Sequence, residues 1–211
     1  MATMTKQAIE DALKKNRVWD LGNKVLYDLC SGHPHHKTDE EIIAKVWLIG
    51  RTYAAAIERR KIKTADSEGD FFYEKIVAPN IKNSEIDEWF EEIRKTPTPE
   101  VAVKVHRNLT NLFLEISGLD KRSLASKYLH FHFKDLFFIY DARAVRAIAN
   151  ITERSQKVLV NVADREADSA YKSFFQKCLW LQNDLKSLLG KKPSPREIDK
   201  IFLFVADSAK K

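Results

Sequence analysis

The stretch Ser123–Arg146, SLASKYLHFHFKDLFFIYDARAVR, decides the reading of this chain. Leu124, Lys127, Tyr128 and Phe131 fall at helical spacing on one face, which sets a lysine among apolar side chains. Burial disfavours the charged form of a lysine and lowers its pKa. An amine that is partly neutral near neutral pH is a nucleophile, able to form a Schiff base with a carbon at the aldehyde oxidation level. At a separation of 14 residues, Asp141 follows the apolar run Leu136 to Tyr140. It opens a predicted helix, Ala142 to Asn150, with apolar positions at Ala142, Val145, Ile148 and Ala149. Aspartate is a favoured N-cap. Each residue therefore carries two readings. Lys127 is a nucleophile, or a lysine that lays its stem along a core helix with its head in water; Asp141 is an electrostatic partner, or only a cap.

The order of these parts resembles the core of the helix-hairpin-helix DNA glycosylase superfamily, and is similar in particular to its small 8-oxoguanine DNA glycosylase-like proteins. Gly118 to Ser126 matches the hairpin and its approach, Lys127 the nucleophile, and Ile139-Tyr140-Asp141 the segment ending in the catalytic carboxylate. Family hairpins carry two glycines at alternate positions just before the lysine, so that backbone amides can approach a DNA phosphate. This chain has Ser123 and Ala125 there, with Gly118-Leu119-Asp120 to make the turn and the Ser123 hydroxyl as a substitute donor. The loop from lysine to aspartate is also short for the family.

The resemblance implies an all-α, two-lobed helical domain with a helix-hairpin-helix core, spanning 1–211 with lobes at 1–96 and 97–211. It implies a base-excision glycosylase with lyase activity at abasic sites, acting on duplex DNA. Lys127 would attack the sugar of a flipped nucleotide and Asp141 would stabilise the positive charge that develops there. Lys121, Arg122, Ser123, Ser126 and Arg143 would hold DNA phosphates. No metal and no cofactor belong to this expectation. The alternative is a non-catalytic module of the same fold that binds DNA or a protein partner, and a third reading is a helical scaffold with no nucleic-acid role.

Composition permits these readings without choosing among them. The chain has 211 residues, 36 Lys and Arg against 30 Asp and Glu, and a net charge of +6. Between Val101 and Asn150 there are eight basic and four acidic residues, so the surplus includes the candidate site. Lys121 and Arg122 read equally well as phosphate ligands and as a solvated helix start. Cys30 and Cys178 are far apart in sequence and read as reduced, buried thiols. The N-terminus lacks the apolar core of a secretory signal and no run approaches bilayer length, so no membrane contact and a cytoplasmic location are the default expectations.

Nearly every other segment also predicts helix. Lys6 to Asn16 is amphipathic, and Val18 to Cys30 continues with Trp19, Leu21, Val25, Leu26 and Leu29 as its apolar set. Thr38 and Glu41 form a capping box ahead of a long stretch through Ile57, predicted as the central core helix. Gly50 within it needs a compensating close approach, and Arg51 beside it reads as an exposed arginine. Ser84 caps a helix to about Lys95. Thr98 and Pro99 start another that Gly118 stops. Asp164 to Leu189 and Arg196 to Ala209 complete the set, while Ile151 to Ala163 reads as helix or loop. The aromatics Phe71, Phe72 and Tyr73 read first as core.

His33, His35 and His36, with Cys30, Asp39 and Glu40 nearby, have the residue types of a metal site. Gly32 and Pro34 break the helix, so solvated loop histidines are the better reading. His130, three residues after Lys127, could tune it. No nucleotide-binding glycine loop, serine elbow or HExxH motif occurs, which disfavours kinase, Rossmann dehydrogenase and zinc protease readings.

Overall fold

A computed structural model describes residues 5–14, 17–59, 69–152, 162 and 167–208. Every regular element among them is helical, so the chain is all-α. The order is α1 (Lys6–Lys14), α2 (Asp20–Gly32), α3 (Asp39–Thr52), α4 (Ala78–Lys82), α5 (Ile86–Lys95), α6 (Pro99–Ser117), α7 (Arg122–His132), α8 (Ala142–Thr152), α9 (Ser169–Leu189) and α10 (Pro195–Ser208). A short 3-10 turn, Arg17–Trp19, leads into α2, and a π-helical turn, Tyr73–Val77, leads into α4. None of the described helices is long and apolar enough to cross a membrane.

The helix at the centre is α7, and this corrects the expectation for Thr38 to Ile57. All eight residues from Leu124 to Phe131 are buried, so α7 is covered on every side. It packs against α2, α3 and α6. One hydrophobic core runs from Ile9 of α1 to Phe202 of α10. It is continuous across residue 97, because α7 packs on α2 and α3 while α1 packs on α10.

Local chemistry explains where the elements begin and end. The Thr38 side chain accepts from Glu41 N, and Thr98 accepts from Val101 N with Pro99 at the first helical position. Gly118 takes the left-handed conformation, φ 69°, that closes α6. Ser194 and Glu197 bond reciprocally at the start of α10. α3 ends at Thr52, short of the predicted span, because Ala54 turns the chain at φ 52°. Gly50 sits close against that turn: a Cβ there would lie 3.2 Å from the Ala56 backbone, and Gly50 O accepts from Ala55 N at 2.8 Å. Its close neighbour is thus the chain's own return, not another helix.

Two apolar faces differ from expectation. On α2 the buried residues are Asn23, Leu26 and Cys30, while Val18, Trp19, Leu21 and Val25 are exposed. On α8 the buried set is Ala144, Ala147 and Ile148. Phe72 and Tyr73 are core, whereas Phe71 is exposed. Most of the ambiguous segment Ile151 to Ala163 lies outside the described residues, as do residues 60–68 and 164–166.

Candidate active site

The chain between α2 and α3 is fastened to the rest of the molecule, which fixes the two helices that wall the site. Lys45 is fully buried and its ammonium donates to His33 O at 2.8 Å and His35 O at 2.5 Å. Burial pushes this lysine down to about 8. His36 is also buried, contrary to the solvated reading. Its Nδ1 meets Asp87 at 2.7 Å and its Nε2 meets the Tyr128 hydroxyl at 2.7 Å. A carboxylate only accepts, so Nδ1 carries the proton and Tyr128 donates to Nε2. His33 bonds Glu41, and no described group of three or more His, Cys, Asp or Glu could hold a metal. Cys30 and Cys178 are buried free thiols.

Lys127 lies on α7 and Asp141 caps α8. The apolar run Phe137 to Ile139 is buried, and Ser126 anchors it: Tyr140 N donates to Ser126 Oγ at 3.0 Å while that hydroxyl donates to Ser123 O at 3.0 Å. This tether brings Asp141 back to the helix it left. Asp141 Oδ1 accepts from the N–H groups of Arg143 and Ala144, each at 2.9 Å, and its Oδ2 lies 3.7 Å from Lys127 Nζ. Cap and electrostatic partner are therefore one residue using different oxygens.

The Lys127 ammonium donates to Ser123 Oγ at 2.9 Å and to Tyr53 O at 3.2 Å, and sits 5.8 Å from the Tyr53 ring centroid. Lys127 is only 2% exposed, so the snorkelling alternative fails. Burial pushes its pKa down, against the attraction of Asp141 and Asp199. His130 does not tune it directly. That ring is held by Phe137 O at Nδ1, 2.7 Å, and by the Tyr27 hydroxyl at Nε2, 2.6 Å.

Beside this pair opens a cleft of about 330 Å³, lined by Trp19, Asn23, Tyr53, Asp141, Arg143 and Asp199 among others. Its walls come from α2, the end of α3, the start of α8 and α10. Tyr53 donates its hydroxyl to Asn23 Oδ1 at 2.5 Å, and Asp199 pairs with Arg196. Asn23 Nδ2 and Arg196 Nε are buried with no partner among the described residues.

The remaining expected DNA ligands are placed differently. Lys121 is buried, and its ammonium donates to the carbonyls of Ala56 and Arg59, which commits it to the turn after α3. Arg122 pairs with Asp120 at 2.8 Å and with Asp168 at 2.5 Å. Ser123 faces Lys127 and Ser126 is buried, while Arg143 is exposed and lines the cleft. Arg51 is half-exposed and pairs with Glu58.

Sequence reasoning passed over Asn23, Tyr53, Arg196 and Asp199. Asp199 left a signal: it stands beside the apolar stripe Ile198, Ile201 and Phe202, where a carboxylate is costly to bury. Asn23 left none, because the exposed side of α2 is the more apolar one.

Fold and site together define an all-helical protein in which a buried lysine faces one of the carboxylates that line a cleft. Comparison with protein-family models, with curated proteins and with solved structures gave no match for the chain.

Proposed function

We propose that the protein is a DNA base-excision glycosylase with lyase activity at abasic sites. The observation that carries the reading is the meeting of a buried lysine with a carboxylate, 3.7 Å apart, at the edge of a cleft. An amine desolvated in this way is activated as a nucleophile. Asp141, fixed by two backbone N–H groups, is preorganised to stabilise positive charge on a sugar. Trp19, exposed on the cleft lining, offers a ring face for stacking on an extruded base, and Arg143 offers a cation to a phosphate.

The alternative, a non-catalytic module of the same fold, draws on a different observation. Lys127 is already engaged by Tyr53 O and Ser123 Oγ, while the ammonium of Lys121 and the guanidinium of Arg122 are committed within the fold.

Borohydride trapping on a duplex with a single abasic site separates the two. The enzyme gives a covalent protein–DNA adduct that Lys127→Ala abolishes. Binding without an adduct supports the module, and the absence of both adduct and binding supports the scaffold. A salt series on binding reports how many phosphate contacts contribute.

A further inference from the structure

The Lys127 ammonium has three polar neighbours, and they differ in what they can do with a proton. Tyr53 O accepts from it at 3.2 Å, Ser123 Oγ accepts at 2.9 Å, and Asp141 Oδ2 lies 3.7 Å away. A carbonyl and a carboxylate only accept, whereas a hydroxyl either accepts or donates. The Ser123 hydroxyl has no other hydrogen bond to a described residue, so its own proton is uncommitted.

An ammonium offers protons to all three neighbours, but a neutral amine keeps two protons and gains a lone pair. Turned toward the Tyr53 carbonyl or the Asp141 carboxylate, that lone pair would meet another. Among these neighbours Ser123 alone can reverse its proton and donate to it. Freedom to move is divided in the same way. Tyr53 O belongs to the main chain that ends α3, and Asp141 is pinned by the Arg143 and Ala144 N–H groups. Ser123 is half-buried in the first turn of α7, and its Oγ swings aside by rotation about one bond. The other charged or titratable groups acting on the amine are Arg143 of α8, Asp199 of α10 and the Tyr53 ring, and none of them hydrogen-bonds Nζ.

We infer that Ser123 is the positioning residue that aims the Lys127 lone pair, so that the electrophilic carbon meets the amine on the side Ser123 Oγ occupies. The inference rests on the reading of Lys127 as a Schiff-base nucleophile. The ammonium gives one proton to water and keeps two, which stay with Tyr53 O and Asp141. Ser123 donates to the freed lone pair and holds it in one direction. As the sugar aldehyde arrives, Ser123 Oγ rotates away, the nitrogen–C1′ bond forms and the carbonyl π pair moves to oxygen. That oxygen takes a proton back from hydronium, which leaves a protonated carbinolamine and returns the water.

The test reads two quantities in the unaltered chain, Ser123→Ala, Ser123→Thr and Lys127→Ala. One is the protonation of Lys127, followed against pH by NMR of isotope-labelled lysine, its signal being the one that Lys127→Ala removes. The other is the single-turnover rate of borohydride-trapped adduct on an abasic-site duplex, divided by the fraction of Lys127 that is neutral. Ser123→Ala leaves an ammonium proton unmatched, which costs more than an unmatched lone pair, so its Lys127 is expected to give up a proton about 10-fold more readily. Its rate per neutral amine is nonetheless expected to fall about 10-fold, because the lone pair is no longer aimed. Ser123→Thr keeps a hydroxyl and retains both values. An adduct that Lys127→Ala abolishes, with either quantity unmoved in Ser123→Ala or both lost in Ser123→Thr, overturns the role of Ser123 and leaves the enzyme reading intact. No adduct from the unaltered chain overturns both. If Ser123→Ala does not fold by circular dichroism, Ser123→Gly replaces it under the same expectations.

Discussion

Asp141 divides its work between two oxygens, and the division can be separated by substitution. Asn at this position keeps an acceptor for the two backbone N–H groups of α8, whereas Ala removes it. Asp141→Asn is therefore expected to melt within a few degrees of the unaltered protein, and Asp141→Ala to lose about 1 kcal/mol by denaturant titration. Both should lose about 100-fold or more in adduct formation, because the charge facing Lys127 is gone in each. Equal stability losses in the two variants would remove the cap from the account. The sequence already placed Lys127 and Asp141 in one stretch, since helix periodicity and capping are local signals. What it did not contain was the carbonyl of Tyr53, which reaches the Lys127 ammonium from 74 residues away and depends wholly on tertiary packing.

At the level of elements, the turn after α3 shapes the cleft. Ala54 holds a left-handed backbone there and lines the cavity, while Gly50 lets Ala56 pass close by. A side-chain-bearing residue at positive φ costs stability that glycine avoids. Ala54→Gly is expected to raise unfolding stability by about 0.5–1 kcal/mol, measured by urea titration. A decrease would show that the alanine methyl contributes more through packing than it costs through strain. The residues Thr52 to Ile57 read as helix because Tyr53, Ala54 and Ile57 continue the apolar face that follows the Thr38 capping box. The chain turns instead because Ile57 is needed in the core and the Lys121 ammonium binds the Ala56 and Arg59 carbonyls. By contrast, α6 was legible at both ends, since Thr98, Pro99 and Gly118 act within a turn of themselves. The apolar side of α2 misled for the same reason that α7 was undervalued: residue type states what can be buried, and only packing decides what is.

At the level of the whole molecule, the buried rings of His106 and His130 set the response to acid. Burial lowers His106 to about 3 and His130 to about 4. A histidine whose folded pKa is depressed contributes stability that is present above its unfolded value and is lost as the pH falls. Each of the two rings is expected to cost about 3 kcal/mol between pH 6.5 and pH 4. Asp199 has the opposite sign: its folded pKa lies above the unfolded one, so its stabilising contribution is complete at low pH and disappears as the pH rises through about 6. Thermal melts of the unaltered chain and Asp199→Asn from about pH 5 to pH 8 should diverge as the pH rises, the unaltered chain losing ground. A constant difference would contradict the assigned burial cost.

The nitrogen proposed as the reagent, that of Lys127, is also a strut. Its protons join α7 to the end of α3 through Tyr53 O, and it stays within its own helix through Ser123 Oγ. Any bond made to carbon at that atom draws on the same hydrogens that brace the joint. On the proposed chemistry, each turnover would slacken the scaffold at the moment the reaction commits, and re-forming the brace would favour release of the product.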